Sequence, residues 1–231
     1  FREGVSMDFT RALMFPFDDD EWLKKLGIGV LIQFIPIIGQ ITLQGWSFEI
    51  SKRVKRNDRV LLPDWSNFGG LLSQGFMLFL AGLIYQIPTI IFACVAMFVW
   101  ILPAMGAGNE DAAAALAGTA SVIVVCCSCL IVLYALAAAV VFWGGYIRYI
   151  DTQEFNIFFQ FGDNIALVRE NLGDFGMALL YVVLAGAIAS VASSITFGLA
   201  GLVSTPFLMY FAGHILGQLA AKLKGTGAPA M

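Results

Sequence analysis

Long stretches without a charged side chain dominate the sequence. Four runs contain no Asp, Glu, Lys or Arg: Leu26–Phe48, Phe68–Asn109, Ala112–Ile147 and Phe175–Ala221. A helix that crosses a membrane needs about 20 mostly apolar residues. The second and third runs each hold one crossing, and the last run is long enough for two. The pattern predicts an all-α polytopic membrane protein with about four full transmembrane helices.

The first run is interrupted near its midpoint. Pro36 and Gly39 disfavour a continuous helix there. Three glutamines in the same run, Gln33, Gln40 and Gln44, make it a poor lipid-facing span. If the run enters the membrane and returns, all 13 Lys and Arg residues lie on one side, as the positive-inside rule favours. We therefore favour an N-terminal re-entrant or kinked helical hairpin, and a simple crossing with a proline kink is the alternative.

The runs and the charged segments between them divide a single integral membrane domain, residues 1–231. The predicted parts are a cytoplasmic N-terminal surface helix (1–25), the hairpin or first span (26–48), a basic cytoplasmic segment (49–67), a hairpin of two spans (68–147), an interfacial helix (148–174), a second hairpin of two spans (175–221) and a cytoplasmic tail (222–231). We expect a multi-pass protein of the cell (plasma or inner) membrane with both termini in the cytoplasm.

The composition supports a membrane location. Hydrophobic residues make up 59% of the chain and charged residues 13%, and the mean hydropathy is +0.84. An ordinary soluble domain is roughly 45–50% apolar and about 25% charged. These values exclude a soluble globular protein, a disordered chain and a nucleic-acid binder, because a soluble fold of this size could not bury so much apolar surface. The net charge of −3 suggests no polyanionic partner.

Two segments have the pattern of amphipathic helices at the membrane surface. In the first, FPFDDDEWLKKLG, we expect Asp18 to be the N-cap and Glu21 its capping-box partner. The second, DTQEFNIFFQFGDNIALVRENLGDFG, predicts one helix with an apolar stripe. That stripe consists of Phe155, Phe158, Phe159, Ile165, Val168 and Leu172.

The five tryptophans fall at the predicted boundaries of the apolar runs. Indole rings prefer the headgroup level of a bilayer, so we interpret all five as interfacial anchors. Four are at inner boundaries and the last named is at the outer one: Trp22, Trp46, Trp65, Trp143 and Trp100.

Several of these segments together resemble a known family. The order FPFDDDEWLKKLGIGVLIQFIPIIG, basic residues, then LPDWSNFGGLLSQG is similar to the opening of the prokaryotic membrane protein family called domain of unknown function 4013. The segment FNIFFQFGDNIALVRENLGDF and the ending GHILGQLAAKL also resemble it, so the likeness covers nearly the whole chain. The resemblance implies an α-helical integral membrane fold. It implies no activity and no catalytic residues.

His214 is the most specific candidate for chemistry, since ionisable side chains inside spans are uncommon and often functional. We favour a neutral imidazole hydrogen-bonded between helices. Ligation of a chlorophyll-type pigment or haem, and a proton relay, are the alternatives; no cofactor is favoured and no metal site is expected. Four cysteines, three of them in VVCCSCL, are expected to be buried packing residues: Cys94, Cys126, Cys127 and Cys129.

Small residues recur every four positions in the last two predicted spans. The fourth span carries Ala185, Ala189 and Ser193, and the fifth carries Gly213, Gly217 and Ala221. Small residues let membrane helices approach closely, so we expect these stripes to pack against each other or against a partner.

Known enzyme signatures such as HExxH, the phosphate-binding loop and the Rossmann fingerprint do not occur in the sequence. We therefore expect a non-catalytic accessory or scaffold subunit of a larger membrane assembly. Its expected partners are the lipid bilayer and other integral membrane subunits or further copies of the chain, with no nucleic acid. The alternative is a small transporter or channel, and a weaker one is a pigment- or haem-carrying subunit that uses His214.

Overall fold

The computed structural model describes residues 7–105 and 110–225. Within these residues the chain is helical, contains no β-strand, and confirms the predicted all-α class. The eight helices are α1 (Phe9–Met14), α2 (Trp22–Ile32), α3 (Ile38–Arg56), α4 (Phe68–Met105), α5 (Glu110–Thr152), α6 (Phe161–Glu170), α7 (Leu172–Ile195) and α8 (Leu199–Gly225). Two short 3-10 turns, Phe15–Asp18 and Phe155–Phe159, lie between them.

Four of the described helices are long and apolar enough to cross a membrane. The stretches that qualify are Phe68–Ile101, Ala113–Thr152, Leu172–Ile195 and Leu199–Leu223. They coincide with the second, third and fourth runs of the sequence except for a few residues at their ends, and the fourth run accounts for two of them. The prediction of a multi-pass membrane protein with four spans is therefore confirmed.

The first run folds into a broken helical hairpin, as the sequence predicted. Helix α2 ends at Ile32, and α3 begins at Ile38 after a turn in which Ile37 has a positive φ of 65°. Gly39 makes this tight turn possible, because a Cβ there would overlap the carbonyl oxygen of Ile32. Further from the turn, a Cβ on Gly29 would lie 3.7 Å from Leu43, so the two helices run back along each other.

The described chain forms two compact units. The larger unit extends to Ala81 and resumes at Trp143, and the smaller one is Gly82–Phe142. The core of the larger unit lies around α3 and α8. Its fully buried large side chains include Trp46, Phe48, Phe158, Phe175, Tyr210 and Phe211.

The smaller unit consists of the adjoining parts of α4 and α5. The Tyr134 hydroxyl donates to the Tyr85 carbonyl over 2.8 Å, and the Tyr85 ring meets Phe142 at 5.5 Å between centroids. Much of its apolar surface is exposed; Val122 and Leu133 are 64% and 65% accessible. Such a surface is what a helical pair presents to lipid.

The predicted N-cap of the first surface helix is wrong. Pro16 lies at the start of a 3-10 turn that ends at Asp18, so the helix begins later, at Trp22. Glu21 occupies the N-cap position without a side-chain capping bond. Its backbone N–H instead donates to the Asp19 carboxylate at 2.9 Å.

The second amphipathic segment is also not one helix. Helix α5 extends to Thr152, and Gln153 then takes a positive φ of 56°, which ends the helix before the 3-10 turn and α6. The predicted stripe is divided as a result. Phe158 and Val168 are buried, whereas Leu172, at the start of α7, is 65% exposed.

Candidate functional site

Helix α3 lies at the centre of the larger unit because glycines let two other helices approach it. Gly45 of α3 and Gly75 of α4 form one crossing, where a Cβ on either residue would overlap a carbonyl oxygen of the opposite helix. On α8, a Cβ on Gly213 would overlap the Ser47 carbonyl oxygen. A Cβ on Gly217 would lie 2.6 Å from that of Val54. The close approach of these two α8 glycines is therefore to α3.

A buried hydroxyl network links α3, α5 and α8. The Ser51 hydroxyl lies 2.7 Å from the Gly213 carbonyl oxygen and 2.8 Å from the Tyr146 hydroxyl. Because serine has one hydroxyl proton, donation to Gly213 requires Tyr146 to donate to Ser51. One turn earlier, the Ser47 hydroxyl donates to the Met209 carbonyl at 2.6 Å. The network fixes the register of the three helices.

His214 joins α8 to the N-terminal segment, residues 7–21, through Gln218. The Asp8 backbone N–H donates to the Gln218 side-chain oxygen at 2.7 Å, and the Gln218 amide nitrogen donates to the Asp8 carbonyl at 3.1 Å. These two bonds fix the orientation of the amide. Its nitrogen lies 2.9 Å from His214 Nδ1, so Nδ1 must accept and the imidazole is neutral, with its proton on Nε2.

Aromatic contacts complete the docking of the N-terminal segment. The Phe15 ring stacks on His214 at 4.4 Å between centroids, and Phe9 meets Phe211 edge to face at 5.2 Å. Ala12, between them, is fully buried. His214 itself is 1% exposed, so its ring is enclosed by protein. This geometry favours a packing role for His214.

A polar cavity of about 510 Å³ lies where α2 and α3 meet the N-terminal segment. We call it the loop cavity. Its lining comes from the N-terminal segment and the start of α2 (Arg11, Phe15, Asp18, Asp19, Asp20, Glu21, Lys25) and from the loop after α3 (Asn57, Asp58, Arg59, Val60, Leu61, Leu62).

The loop after α3, which forms one wall of this cavity, accepts hydrogen bonds from three side chains. The buried Lys25 ammonium donates to the Leu62 carbonyl at 3.2 Å and pairs with Asp19 at 2.6 Å. The Arg53 guanidinium donates to the Val60 carbonyl at 3.2 Å. The Trp46 indole N–H donates to the Pro63 carbonyl at 3.0 Å. Two of these hydrogen bonds, from Lys25 and Trp46, are buried, and the bond from Arg53 is exposed.

A comparison with protein families identifies the chain. The model of a family described as "Protein of unknown function (DUF4013)" matches residues 28–198. The chain belongs to this family. No curated protein and no solved structure matches it. The DUF4013 match contains the Gly45–Gly75 crossing and the loop after α3, whereas His214 and the start of the N-terminal segment lie outside it.

The tryptophans of this DUF4013 protein have unequal environments. Trp100 is 66% exposed, as an interfacial anchor requires, and Trp22 and Trp143 are partly exposed. Trp46 is fully buried and stacks on Trp65 at 5.2 Å between centroids. The prediction of an interfacial anchor at Trp46 is therefore wrong, because its indole is buried and holds the loop after α3.

The small-residue stripes and the cysteines also fall in distinct places. Ala185 is buried, Ala189 and Ser193 are partly buried, and a Cβ on Gly201 would lie 3.1 Å from the Ser193 hydroxyl, so that stripe faces α8. Ala221 is partly buried.

The expectation of buried cysteines is wrong. Cys94, Cys126 and Cys129 are exposed and Cys127 is intermediate, because they lie on outward faces of the smaller unit.

Sequence reasoning missed Gly45, Gly75, Ser51 and Tyr146. Within α3, the positions of Gly45, Trp46 and Ser51 follow no repeating pattern that would mark them as contact residues. What matters is the pairing of Gly45 with a glycine 30 positions later, which only the fold brings together.

Proposed function

We propose that this protein is a non-catalytic accessory or scaffold subunit that associates with other membrane helices through one face of α5. The observation that supports it is a row of exposed residues in the smaller unit, which we call the α5 seam. The seam consists of Ala114, Gly118, Ser121, Val125, Ser128 and Val132. All six residues are exposed within the chain.

The spacing of the seam is that of a helix-packing surface. Its members alternate four and three residues apart, the period of a left-handed helix pair. Four of the six are Ala, Gly or Ser, which allow the close approach that drives helix association in lipid. The hydroxyls of Ser121 and Ser128 donate to the Ala117 and Val124 carbonyls of their own helix, at 2.8 Å each. The seam thus exposes no unpaired hydroxyl proton to lipid.

The larger unit is consistent with a structural role. Its buried polar side chains at Ser47, Ser51, His214 and Gln218 all bond to other parts of the chain. Groups of that kind hold helices in register. A unit whose helices are held together in this way, joined in the same chain to a helix with an exposed packing seam, suits a protein that organises an assembly.

We further propose that the protein is a prokaryotic plasma- or inner-membrane protein with both termini in the cytoplasm. The basic residues at the end of α3, Arg53, Lys55 and Arg56, and Lys222 near the end of α8 then lie on the cytoplasmic side. Helix α2 has 11 residues and is about 16 Å long, about half of a roughly 30 Å hydrocarbon core. The α2–α3 hairpin then re-enters rather than crosses.

The association proposal is tested by adding bulk to the seam. Ser121→Leu places a large side chain on it, and Cys126→Leu places the same side chain on another exposed face of α5 as the matched control. Each variant is extracted with its native lipid in polymer discs and its particle mass is measured. We expect an assembly larger than one chain in wild type and Cys126→Leu, and a loss of mass in Ser121→Leu. A single chain in wild type, or equal masses in both variants, would contradict the proposal.

A further inference from the structure

The charges around the loop cavity fall into two groups. Three of its acids are already paired: Asp19 with Lys25 at 2.6 Å, Glu21 with Lys24 at 2.9 Å, and Asp58 with Arg56 at 2.9 Å. The other charged lining residues, Arg11, Arg59, Asp18 and Asp20, form no ion pair among the residues described. The uncommitted charges of the cavity are therefore two positive and two negative.

This balance selects for a ligand that carries both signs. A simple anion would be repelled by the two carboxylates that form no ion pair, and a simple cation would be repelled by the two guanidinium groups. A zwitterion satisfies both sets. Guanidinium groups bind phosphate with paired N–H donors, and carboxylates accept hydrogen bonds from an ammonium group.

The aromatic content of the cavity distinguishes a primary from a quaternary ammonium. Quaternary ammonium groups are recognised by cages of aromatic rings. Among the lining residues Phe15 is the single aromatic one, and its ring is already stacked on His214. Asp18 and Asp20 offer hydrogen-bond acceptors, which a primary ammonium can use and a quaternary one cannot.

Exposed apolar side chains adjoin the charged rim. Val60, next to Arg59, is 54% exposed, and Phe17, next to Asp18, is 55% exposed and packs edge to face on Trp22 at 4.9 Å. A polar cavity bordered by exposed apolar and indole side chains matches the boundary between headgroups and acyl chains.

We propose that the loop cavity binds a zwitterion with a primary ammonium and a phosphate, the chemistry of a phosphatidylethanolamine headgroup. Arg59 and Arg11 bind the phosphate, and Asp18 and Asp20 accept from the ammonium. The hydrogen bonds of Lys25, Arg53 and Trp46 keep the wall of the cavity in place without using these four residues.

The test uses the full chain, stripped of lipid in detergent, with retained lipid counted by native mass spectrometry. The probes are phosphatidylethanolamine, phosphatidylcholine and phosphatidylglycerol with the same acyl chains. We expect phosphatidylethanolamine to be retained about tenfold better than the other two, since one hydrogen bond to a charged group corresponds to roughly a tenfold change or more. Equal retention of phosphatidylethanolamine and phosphatidylcholine would overturn the proposal.

Two variants and two controls assign the site. Arg59→Gln and Asp20→Asn each remove one uncommitted charge from the cavity and should weaken retention about tenfold. Arg169→Gln and Glu170→Gln make the same kinds of change at exposed positions of α6, outside the cavity, and should leave it unaltered. Melting temperatures check that all four variants fold. If a cavity variant folds and binds like wild type, the assignment is wrong.

A final arm separates the two sources of this chemistry. Free phosphoethanolamine is added to the lipid-free chain, and its effect on the melting temperature is compared with that of phosphatidylethanolamine. Stabilisation by the lipid alone identifies a bilayer headgroup as the ligand, and equal stabilisation by both identifies a soluble zwitterion of the same chemistry. No stabilisation by either would overturn the proposal.

Discussion

Gly45 in α3 and Gly75 in α4 face each other where the two helices cross. A Cβ on Gly45 would overlap the Leu71 carbonyl oxygen, and a Cβ on Gly75 would overlap the Ile41 carbonyl oxygen. The obstacle on each side is backbone, which cannot rotate away as a side chain can. The distance between α3 and the first half of α4 therefore depends on the absence of a side chain at both positions.

Gly75→Ala should destabilise the protein by about 1–3 kcal/mol, because the added methyl group forces two helix backbones apart. Gly82→Ala is the matched control in the same helix. Nothing lies within 4 Å of a Cβ at Gly82, so alanine there should be neutral or stabilising by up to about 1 kcal/mol. Thermal melting in one detergent compares the two. Equal effects would show that the crossing is not close.

Gly217→Ala tests whether α8 packs on α3. The new Cβ would lie 2.6 Å from the Val54 Cβ and 2.8 Å from the Ser51 carbonyl oxygen, so the melting temperature should fall. If Gly217→Ala is harmless, the contact lies elsewhere.

The hydrogen bond between Ser51 and Tyr146 should show a measurable coupling energy. Ser51→Ala, Tyr146→Phe and the double variant form a cycle that isolates this 2.8 Å contact. Hydrogen bonds between membrane helices average about 0.6 kcal/mol, so we expect a coupling of that size. Free energies of unfolding that simply add would mean the two hydroxyls do not interact in the folded protein.

Substitutions at His214 separate a packing role from cofactor binding. In His214→Gln the new amide oxygen can accept from Gln218, so stability should fall less than in His214→Leu, which leaves a buried Gln218 N–H unpaired. We expect the purified wild type to be colourless across the visible range. A coloured wild type that His214→Gln bleaches would establish His214 as a ligand to a pigment or haem.

The sequence predicted the parts of this fold that depend on local composition. Charge-free runs of sufficient length located the four spans, and Pro36 with Gly39 located the break in the hairpin. It failed where the partner of a residue is distant in sequence. Nothing near Trp46 in the sequence indicates that its indole bonds to Pro63, so its position at the end of an apolar run predicts an interfacial anchor instead. The loop cavity was missed for the same reason, since the acids of residues 18–21 meet the loop after α3 only in the folded chain.

The central proposal concerns the side of the membrane on which each segment lies. In the proposed topology the α2–α3 hairpin returns to the side from which it enters, and the N-terminal segment and the end of α3 lie together in the cytoplasm. Single cysteines report this in a background without Cys94, Cys126, Cys127 and Cys129. Suitable inner positions are Thr10 and Arg56, which are exposed, whereas the Lys55 side chain is 5% exposed and paired with Asp151.

The decisive measurement is labelling of these cysteines in intact cells with a thiol reagent that does not cross membranes. Phe197, 98% exposed in the turn between α7 and α8, is the outer position, with Ala107 as a second one from the sequence, outside the described residues. We expect labelling at Phe197 and Ala107, and labelling at Thr10 and Arg56 only after the cells are opened. Labelling at Thr10 but not at Arg56 in intact cells would mean that the first run crosses the membrane, and would contradict the account.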